Sequence, residues 1–215
     1  MNKITKSFAI LLATILLTTG CNDDKAKIIE KKDPIQHKVV KQDGIKSLEI
    51  KESKNHAKEA EKVVYKVFKD VAKIAPDGKY MILIFGTNTC PYCMKLKEDI
   101  FNDSTFQNRL KKDYSAYYLK THENLRHKLF HEGELMDVDT KTMISIYGVQ
   151  GTPTIIFTDK KGKAVIMVPG YMPKKQFLVT MDFMEQELWK NKDRKNGEVY
   201  QALKDYYIKR GVIQK

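Results

Sequence analysis

The residues whose spacing most clearly indicates chemistry are two cysteines, Cys90 and Cys93, separated by Pro91 and Tyr92. A continuous apolar run over residues 80–85 precedes them and predicts a buried strand. The residues that follow have helical periodicity, which predicts a helix beginning near Pro91. A cysteine pair at a strand-to-helix junction is typical of a redox couple. The pattern therefore predicts thiol–disulfide chemistry that needs no cofactor beyond this pair.

The position of the pair predicts a different role for each cysteine. Cys90 is expected at the helix N-terminus, where unpaired backbone N–H groups and the positive end of the helix dipole stabilise a thiolate. Such a thiolate is both the attacking nucleophile and the better leaving group. Cys93 lies one turn into the helix, close enough to resolve a mixed disulfide. Pro91 suits the first helical position, where no N–H is required.

Three other uses of the cysteine pair are open from the residues alone. A four-ligand zinc site would need a second pair, but the only other cysteine is Cys21. A copper(I) site could use Cys90, Cys93 and Met94. An inert disulfide would close so short a loop that it would add little stability by the chain-entropy argument. We favour the redox interpretation and expect no metal.

The N-terminal residues predict export and lipid attachment. Lys3 and Lys6 precede an apolar run over residues 8–17. This run is too short to span a bilayer, which takes about 20 residues, but it matches the apolar region of a signal peptide. The run ends in Thr-Thr-Gly-Cys, which resembles a bacterial lipobox with Cys21 as the lipidated residue. The alternative is a plain secretory signal. We expect a lipid-anchored protein on the periplasmic side of a bacterial membrane, where paired thiols can oxidise.

Charge and composition exclude several classes of protein. A hydrophobic fraction of 42% excludes wholesale disorder and a polytopic membrane protein. The net charge of +12 would suggest nucleic acid, but residues 80–189 carry 14 basic and 13 acidic groups. The basic excess lies in the flanking segments, so we expect no nucleic-acid partner.

The chain divides into four predicted regions: a signal peptide (residues 1–20), a polar tether (21–47), a folded domain (48–190) and a basic helical extension (191–215). Hydrophobic periodicity predicts alternating elements. The predicted helices cover residues 48–74, 91–100, 105–111, 140–146, 173–189 and 198–209, and the strands cover residues 80–85, 115–120, 154–158 and 164–168. This order implies an α/β sandwich with a mixed sheet.

Residues 121–140 lie between a predicted strand and a predicted helix. His127 and His131, with His122 nearby, could share a helix face as metal ligands. The favoured interpretation is a polar insertion that influences partner choice.

Three motifs, in order, resemble a known family. They are Phe-Gly-Thr-Asn-Thr-Cys-Pro-Tyr-Cys at residues 85–93, Tyr-Gly-Val-Gln-Gly-Thr-Pro-Thr at 147–154 and Pro-Gly-Tyr at 169–171. The sequence resembles thioredoxin-fold periplasmic proteins of the SoxW-like or CcmG-like type over roughly residues 50–190. The resemblance implies a thioredoxin-like three-layer sandwich with a central mixed β-sheet, to which this chain adds a C-terminal helix.

The resemblance also implies a substrate site. Pro153 matches the cis-proline that faces the cysteine pair in this fold, and Thr152 with Pro153 would bind a substrate backbone in an extended conformation. Gly170 matches a glycine that lets a substrate chain approach closely. Pro91 and Tyr92, between the cysteines, complete the predicted substrate-binding set.

The sequence departs from thioredoxin at the same place. Thioredoxins carry a buried acid six residues before the first cysteine, where this chain has Ile84, and an aromatic residue where it has Thr89. The Pro-Tyr dipeptide between the cysteines is familiar from glutaredoxins. Which group relays a proton to Cys93 is open, with Glu98 and Glu123 as candidates.

The resemblance favours a monomeric reductase of protein disulfides, such as the CxxCH sites of apocytochromes c. Its electrons would come from a membrane donor protein of the DsbD or CcdA type. The alternatives are a disulfide oxidase or isomerase of the DsbA or DsbC type, and a copper-binding chaperone that uses the cysteine pair.

Overall fold

The structure, a computed structural model, describes residues 58–59 and 61–214. The predicted signal peptide, Cys21 and the tether lie outside these residues. The described helices are α1 (residues 61–67), α2 (Pro91–Phe101), α3 (Ser104–Lys112), α4 (Thr140–Ile146), α5 (Lys174–Glu185) and α6 (Glu198–Lys209). The strands are β1 (Lys73–Ile74), β2 (Tyr80–Gly86), β3 (Tyr114–Lys120), β4 (Arg126–His131), β5 (Glu134–Asp139), β6 (Thr154–Thr158) and β7 (Ala164–Pro169). No helix in this part of the chain combines the length and apolar character needed to cross a membrane.

A four-stranded mixed sheet forms the centre of the fold, with the strand order β3-β2-β6-β7. β2 runs parallel to β3 and antiparallel to β6, and β6 pairs antiparallel with β7. Every residue of β2 is buried, as expected of a continuous apolar run in a central strand. The predicted mixed sheet and the 154–168 hairpin are confirmed.

Each face of this sheet carries its own apolar cluster. Ile82 and Ile84 pack with residues of α1, α2, α3, α5 and α6. Met81, Leu83 and Phe85 pack on the other face with residues of α4 and of a second, smaller sheet. The alternation follows from the two-residue period of a strand, which turns successive side chains to opposite faces. The three layers predicted from the sequence are confirmed.

The smaller sheet, with the order β1-β4-β5, corrects the prediction for residues 121–140. These residues form a β-hairpin whose turn, Glu132 and Gly133, has positive φ angles of 51° and 98°. Because β4 is a strand, His127 and His131 lie four residues apart along it, or about 13 Å. The prediction that both histidines could share a helix face as metal ligands is therefore wrong.

The helix predicted over residues 48–74 is wrong at its C-terminal end. Helical residues stop at 67, and Ile74 belongs to β1, where it pairs with Leu129 of β4. Val67 and Ile74 have helical spacing, but they pack into the clusters on opposite faces of the main sheet. One face of a single helix cannot reach both clusters. Residues 48–57 and residue 60 lie outside the described residues.

The C-terminal elements differ from prediction in one helix. α5 ends at Glu185 rather than continuing to Trp189, because Glu187 adopts a positive φ of 56° that breaks the helix. Trp189 is still buried, edge-on to Tyr80. α6 has the predicted bounds.

The chain after α5 covers the outer edge of β7. The Tyr200 hydroxyl accepts a hydrogen bond from the Met167 backbone N–H (3.0 Å) and lies 3.2 Å from the Met167 carbonyl, to which it can donate. The Arg194 guanidinium donates to the Ala164 carbonyl at 2.9 Å and pairs with Asp159 at 3.1 Å. Backbone groups that an edge strand would leave free are therefore occupied by side chains.

Candidate active site

Cys90 lies at the N-terminus of α2, as the sequence predicts. It is the N-cap residue, with φ −84° and ψ 116°, and Pro91 opens the helix. The Cys93 backbone N–H donates to Cys90 Sγ at 3.2 Å, so the sulfur satisfies one of the free N–H groups at the helix terminus. Both cysteines are present as free thiols. Cys90 is partly exposed, whereas Cys93 is buried.

The loop before β6 faces Cys90 from the other side. The Thr152–Pro153 peptide bond is cis, and the Cys90 thiol donates to the Thr152 carbonyl at 3.2 Å. Pro153 is buried and Thr152 is partly exposed. The Gly170 N–H donates to the Pro153 carbonyl at 2.7 Å, which ties β7 to this loop. The structure therefore places the predicted substrate-binding loop in contact with the predicted nucleophile.

The surroundings of the two thiols separate their acidities. Burial opposes ionisation of Cys90, but hydrogen bonds from the Cys93 thiol, the Thr152 side chain and the Cys93 N–H outweigh it, and the pKa of Cys90 is lowered. Burial and the hydrogen bond with Cys90 raise the pKa of Cys93. At neutral pH the more exposed sulfur is thus the better nucleophile, and the buried one stays protonated.

Aromatic residues form the exposed rim of the site. Tyr92, which is 61% exposed, stacks on Tyr171 with ring centroids 6.3 Å apart. The Tyr171 hydroxyl donates to Asp99 of α2, and Lys95 lies 4.9 Å from the centre of the Tyr171 ring. Sequence analysis gave no role to Tyr171 or Asp99, although Tyr171 is the last residue of the Pro-Gly-Tyr motif. This surface can pack against the side chains of a bound polypeptide.

A group of polar residues behind the cysteine pair was also missed. Lys97, one turn after Cys93 on α2, is buried, with its ammonium 3.4 Å from Glu61 and 3.3 Å from the Asn88 side-chain oxygen. The same ammonium lies 4.9 Å from the centre of the Tyr118 ring. No sequence spacing signals this group, because its members come from α1, α2, β3 and the loop between β2 and α2.

Glu98 and Glu123 were the two acids considered as proton relays to Cys93. Glu98 is exposed on α2, and Glu123 pairs with Lys120 at 3.0 Å. Neither forms a hydrogen bond with Cys93 in the part of the chain that the structure describes.

The histidines of the β4–β5 hairpin show no metal-binding arrangement. Both ring nitrogens of His127 are engaged, 2.7 Å from the Val71 carbonyl and 2.8 Å from the Thr140 hydroxyl. Within residues 58–59 and 61–214, no group of three or more His, Cys, Asp and Glu side chains could hold a metal ion. His127 therefore serves the packing of the small sheet.

Comparison with known proteins gives three findings. Residues 67–196 match the model of a protein family, the thioredoxin-like domain family. The thiol:disulfide interchange protein DsbC of Dickeya dadantii (strain 3937) is 27% identical over 130 residues, which cover 50% of this chain and 52% of that protein. A solved thioredoxin-fold protein from Helicobacter pylori has 32% sequence identity and a TM-score of 0.64, with 69% of this chain and 94% of that chain covered. This chain thus spans about half the length of the curated relative it matches.

Proposed function

Because this chain belongs to the thioredoxin-like domain family, we propose that it is a thiol–disulfide oxidoreductase acting on proteins through Cys90 and Cys93. The observation that carries the proposal is the environment of Cys90. Its sulfur caps α2, has a lowered pKa and contacts the carbonyl of the cis Thr152–Pro153 bond. A reactive thiolate beside the partly exposed loop that leads into β6 suits attack on a disulfide within a polypeptide that binds there.

The reaction proceeds in two exchanges when a substrate disulfide is reduced. The Cys90 thiolate attacks one substrate sulfur, a mixed disulfide forms, and the other substrate sulfur leaves as a thiolate that takes a proton. Cys93 then loses its proton and attacks Cys90 Sγ, which releases the second substrate thiol. Two electrons pass to the substrate, and the Cys90 and Cys93 sulfurs become joined in a disulfide.

Serine substitutions test this chemistry. Cys90→Ser is expected to abolish exchange, because a hydroxyl is neither a sufficient nucleophile nor a disulfide partner. Cys93→Ser is expected to accumulate the mixed disulfide, since the first exchange remains possible and the second does not. Non-reducing electrophoresis with mass spectrometry would identify the adduct at Cys90. A Cys90→Ser protein that retains full exchange activity would refute the proposal.

The direction of electron flow that we favour is reduction, with apocytochrome c CxxCH sites or similar disulfides as substrates. A membrane donor of the DsbD or CcdA type would reduce the protein again. The three motifs that resemble SoxW-like and CcmG-like proteins support this direction. The likeness to a thiol:disulfide interchange protein supports a second candidate, in which the same thiolate rearranges substrate disulfides.

The reduction potential of the dithiol separates these directions. Thioredoxin has a reduction potential of about −270 mV, and a similar value here would support reduction of substrates. DsbA has a potential of about −120 mV, and a similar value here would favour disulfide formation instead. The potential would be measured by equilibration in glutathione and dithiothreitol buffers of defined ratio. An intermediate value would favour rearrangement.

We further propose that residues 1–20 direct export and that Cys21 is lipidated, with residues 21–47 as the tether. The Gly-Cys sequence directly after the apolar run supports this. Cys21→Ala is expected to release the protein from membranes without changing its exchange activity. Fractionation of cells that express the variant measures this, and a variant that remains in the membrane fraction contradicts lipidation.

A further inference from the structure

The Tyr118 hydroxyl is a buried polar group without a conventional partner. Three tyrosines lie on β3, and two use their hydroxyls in ordinary hydrogen bonds: Tyr114 donates to the Met181 carbonyl and Tyr117 to the Ala75 carbonyl, both at 2.9 Å. The Tyr118 oxygen is buried, and among the described residues it has no hydrogen-bond partner of ordinary geometry. Leaving a buried hydroxyl unpaired is unfavourable for folding, so its retention calls for a functional reason.

The Tyr118 hydroxyl and the Cys93 sulfur both lie next to the position that a side chain on Gly86 would occupy. A Cβ atom built on Gly86, at the end of β2, would lie 2.1 Å from Tyr118 Oη and 3.3 Å from Cys93 Sγ. The missing side chain of Gly86 is therefore what lets the phenol reach towards the buried thiol. Tyr118 is also the direct neighbour of Ile84 across β2 and β3. Its hydroxyl thus comes from the strand beside the position where thioredoxins carry their buried acid.

We propose that the Tyr118 hydroxyl donates a hydrogen bond to the Cys93 sulfur as that sulfur becomes a thiolate during the resolving exchange. The proposal rests on the dithiol function proposed above and assigns Tyr118 a catalytic role in its second step. In that step the Cys93 proton ends on the departing substrate thiolate, the Cys93–Cys90 bond forms and the Cys90–substrate bond breaks. Tyr118 keeps its own proton throughout.

The surroundings of Tyr118 suit a donor that does not ionise. Burial and the charge of a Cys93 thiolate raise the pKa of the hydroxyl, so it remains protonated while the thiolate forms. The Lys97 ammonium lies against the face of the phenol ring and is itself held by Glu61 and Asn88. The ammonium therefore packs against one face of the ring that carries the hydroxyl.

Tyr118→Phe tests the role, because it removes only the hydroxyl. The reduced full-length protein, with Cys21→Ala in every variant so that Cys90 and Cys93 are its only thiols, would be mixed with 5,5′-dithiobis(2-nitrobenzoic acid) in a stopped-flow instrument. Attack by Cys90 releases one thionitrobenzoate, and resolution by Cys93 releases the second. We expect Tyr118→Phe to leave the first phase unchanged and to slow the second by roughly 10-fold, as expected for loss of a hydrogen bond to a charged group. The rise of the second-phase rate with pH should move to higher pH.

Tyr114→Phe is the matched control, since it removes a hydroxyl from the same strand and the same apolar cluster. It should lower the free energy of unfolding in urea and leave the second phase unchanged. Tyr118→Phe should do the reverse, with stability unchanged or higher because no hydrogen bond is lost. A second phase equal to wild type in rate and pH profile, or equal slowing of both phases, would overturn the role of Tyr118. A wild-type protein that releases no second thionitrobenzoate would instead refute the dithiol function itself.

Discussion

At the scale of single residues, the site depends on an asymmetry between two thiols three residues apart. Cys90 accepts the Cys93 N–H and contacts a carbonyl at the protein surface, whereas Cys93 is buried beneath it. The chain therefore exposes one sulfur to substrates and keeps the other for the second exchange. Hydrogen bonds from the Cys93 thiol, the Thr152 side chain and the N–H groups at the start of α2 together lower the pKa of the exposed thiol.

This asymmetry predicts a pH-dependent alkylation pattern. Only the thiolate reacts, so the rate of Cys90 modification by iodoacetamide should rise with pH and level off below the usual thiol pKa of about 8.5. Cys93 should stay unmodified over this range, because burial raises its pKa and blocks access. Mass spectrometry of tryptic peptides would follow both sites. Equal labelling of both cysteines at pH 7 would contradict the asymmetry.

The close packing around Gly86 predicts that an alanine at this position destabilises the protein. Gly86→Ala would insert a methyl group 2.1 Å from Tyr118 Oη, so the ring or β2 must shift. We expect a loss of roughly 1–3 kcal/mol in the free energy of unfolding, typical of overpacking in a core. Gly151→Ala is the control, because its Cβ would meet no atom within 4 Å. Urea denaturation of both variants measures the difference, and equal stability would show that β2 yields freely.

At the scale of elements, helix termini connect neighbouring parts of the molecule. Asp103 caps α3 by accepting the Phe106 N–H at 2.9 Å and also pairs with Lys174, at the start of α5, at 3.0 Å. The N–H hydrogen bond and the lysine together lower the pKa of Asp103. One carboxylate thus stabilises a helix start and joins two helices.

Asp103→Ala should therefore lower the free energy of unfolding by about 1 kcal/mol, the usual cost of removing such a cap. Asp103→Asn keeps a capping oxygen and should lose less. Because the native pKa is depressed, the contribution of the carboxylate is present above the unfolded value of about 3.9 and is lost as pH falls below it. Urea denaturation at pH 7 and pH 3 checks this. A wild-type advantage over Asp103→Asn that does not shrink at pH 3 would contradict it.

The elements that sequence analysis predicted correctly are those specified by local signals. The apolar run of β2, Pro91 at the start of α2, Gly162 in the β6–β7 turn and the periodicity of α6 each depend on neighbours in the chain. The β1–β4–β5 sheet was missed because β1 has two residues and is defined by its pairing with a distant strand. Likewise, the approach of Tyr118 to Cys93 depends on tertiary packing, which no spacing in the sequence encodes.

At the scale of the whole molecule, the segment after α5 is part of the fold. Val199, Leu203 and Tyr206 of α6 belong to the same apolar cluster as the helices around the active site. Tyr200 and Arg194 occupy backbone groups on the outer edge of β7. This segment therefore completes the core and occupies backbone groups at the edge of β7 with which another strand could otherwise pair.

Removing this cover should promote self-association. The double variant Tyr200→Phe/Arg194→Ala loses the hydrogen bonds to Met167 and Ala164 but keeps the apolar ring, so an unpaired strand edge becomes available. We expect sedimentation velocity to show concentration-dependent dimers or larger species. Lys204→Ala, at an exposed position of the same helix, is the control. A double variant that sediments like the wild-type protein at high concentration would show that β7 is protected by other means.

The covered edge also bears on how an unfolded client protein would meet this molecule. A client chain seeks unpaired backbone groups with which to form strand-like hydrogen bonds. Along β7 such groups at Met167 and Ala164 are already taken, whereas Thr152 is partly exposed beside the Cys90 sulfur. On the function proposed above, we therefore expect an extended client segment to bind at the Thr152 loop, next to the thiol that reacts, rather than along β7.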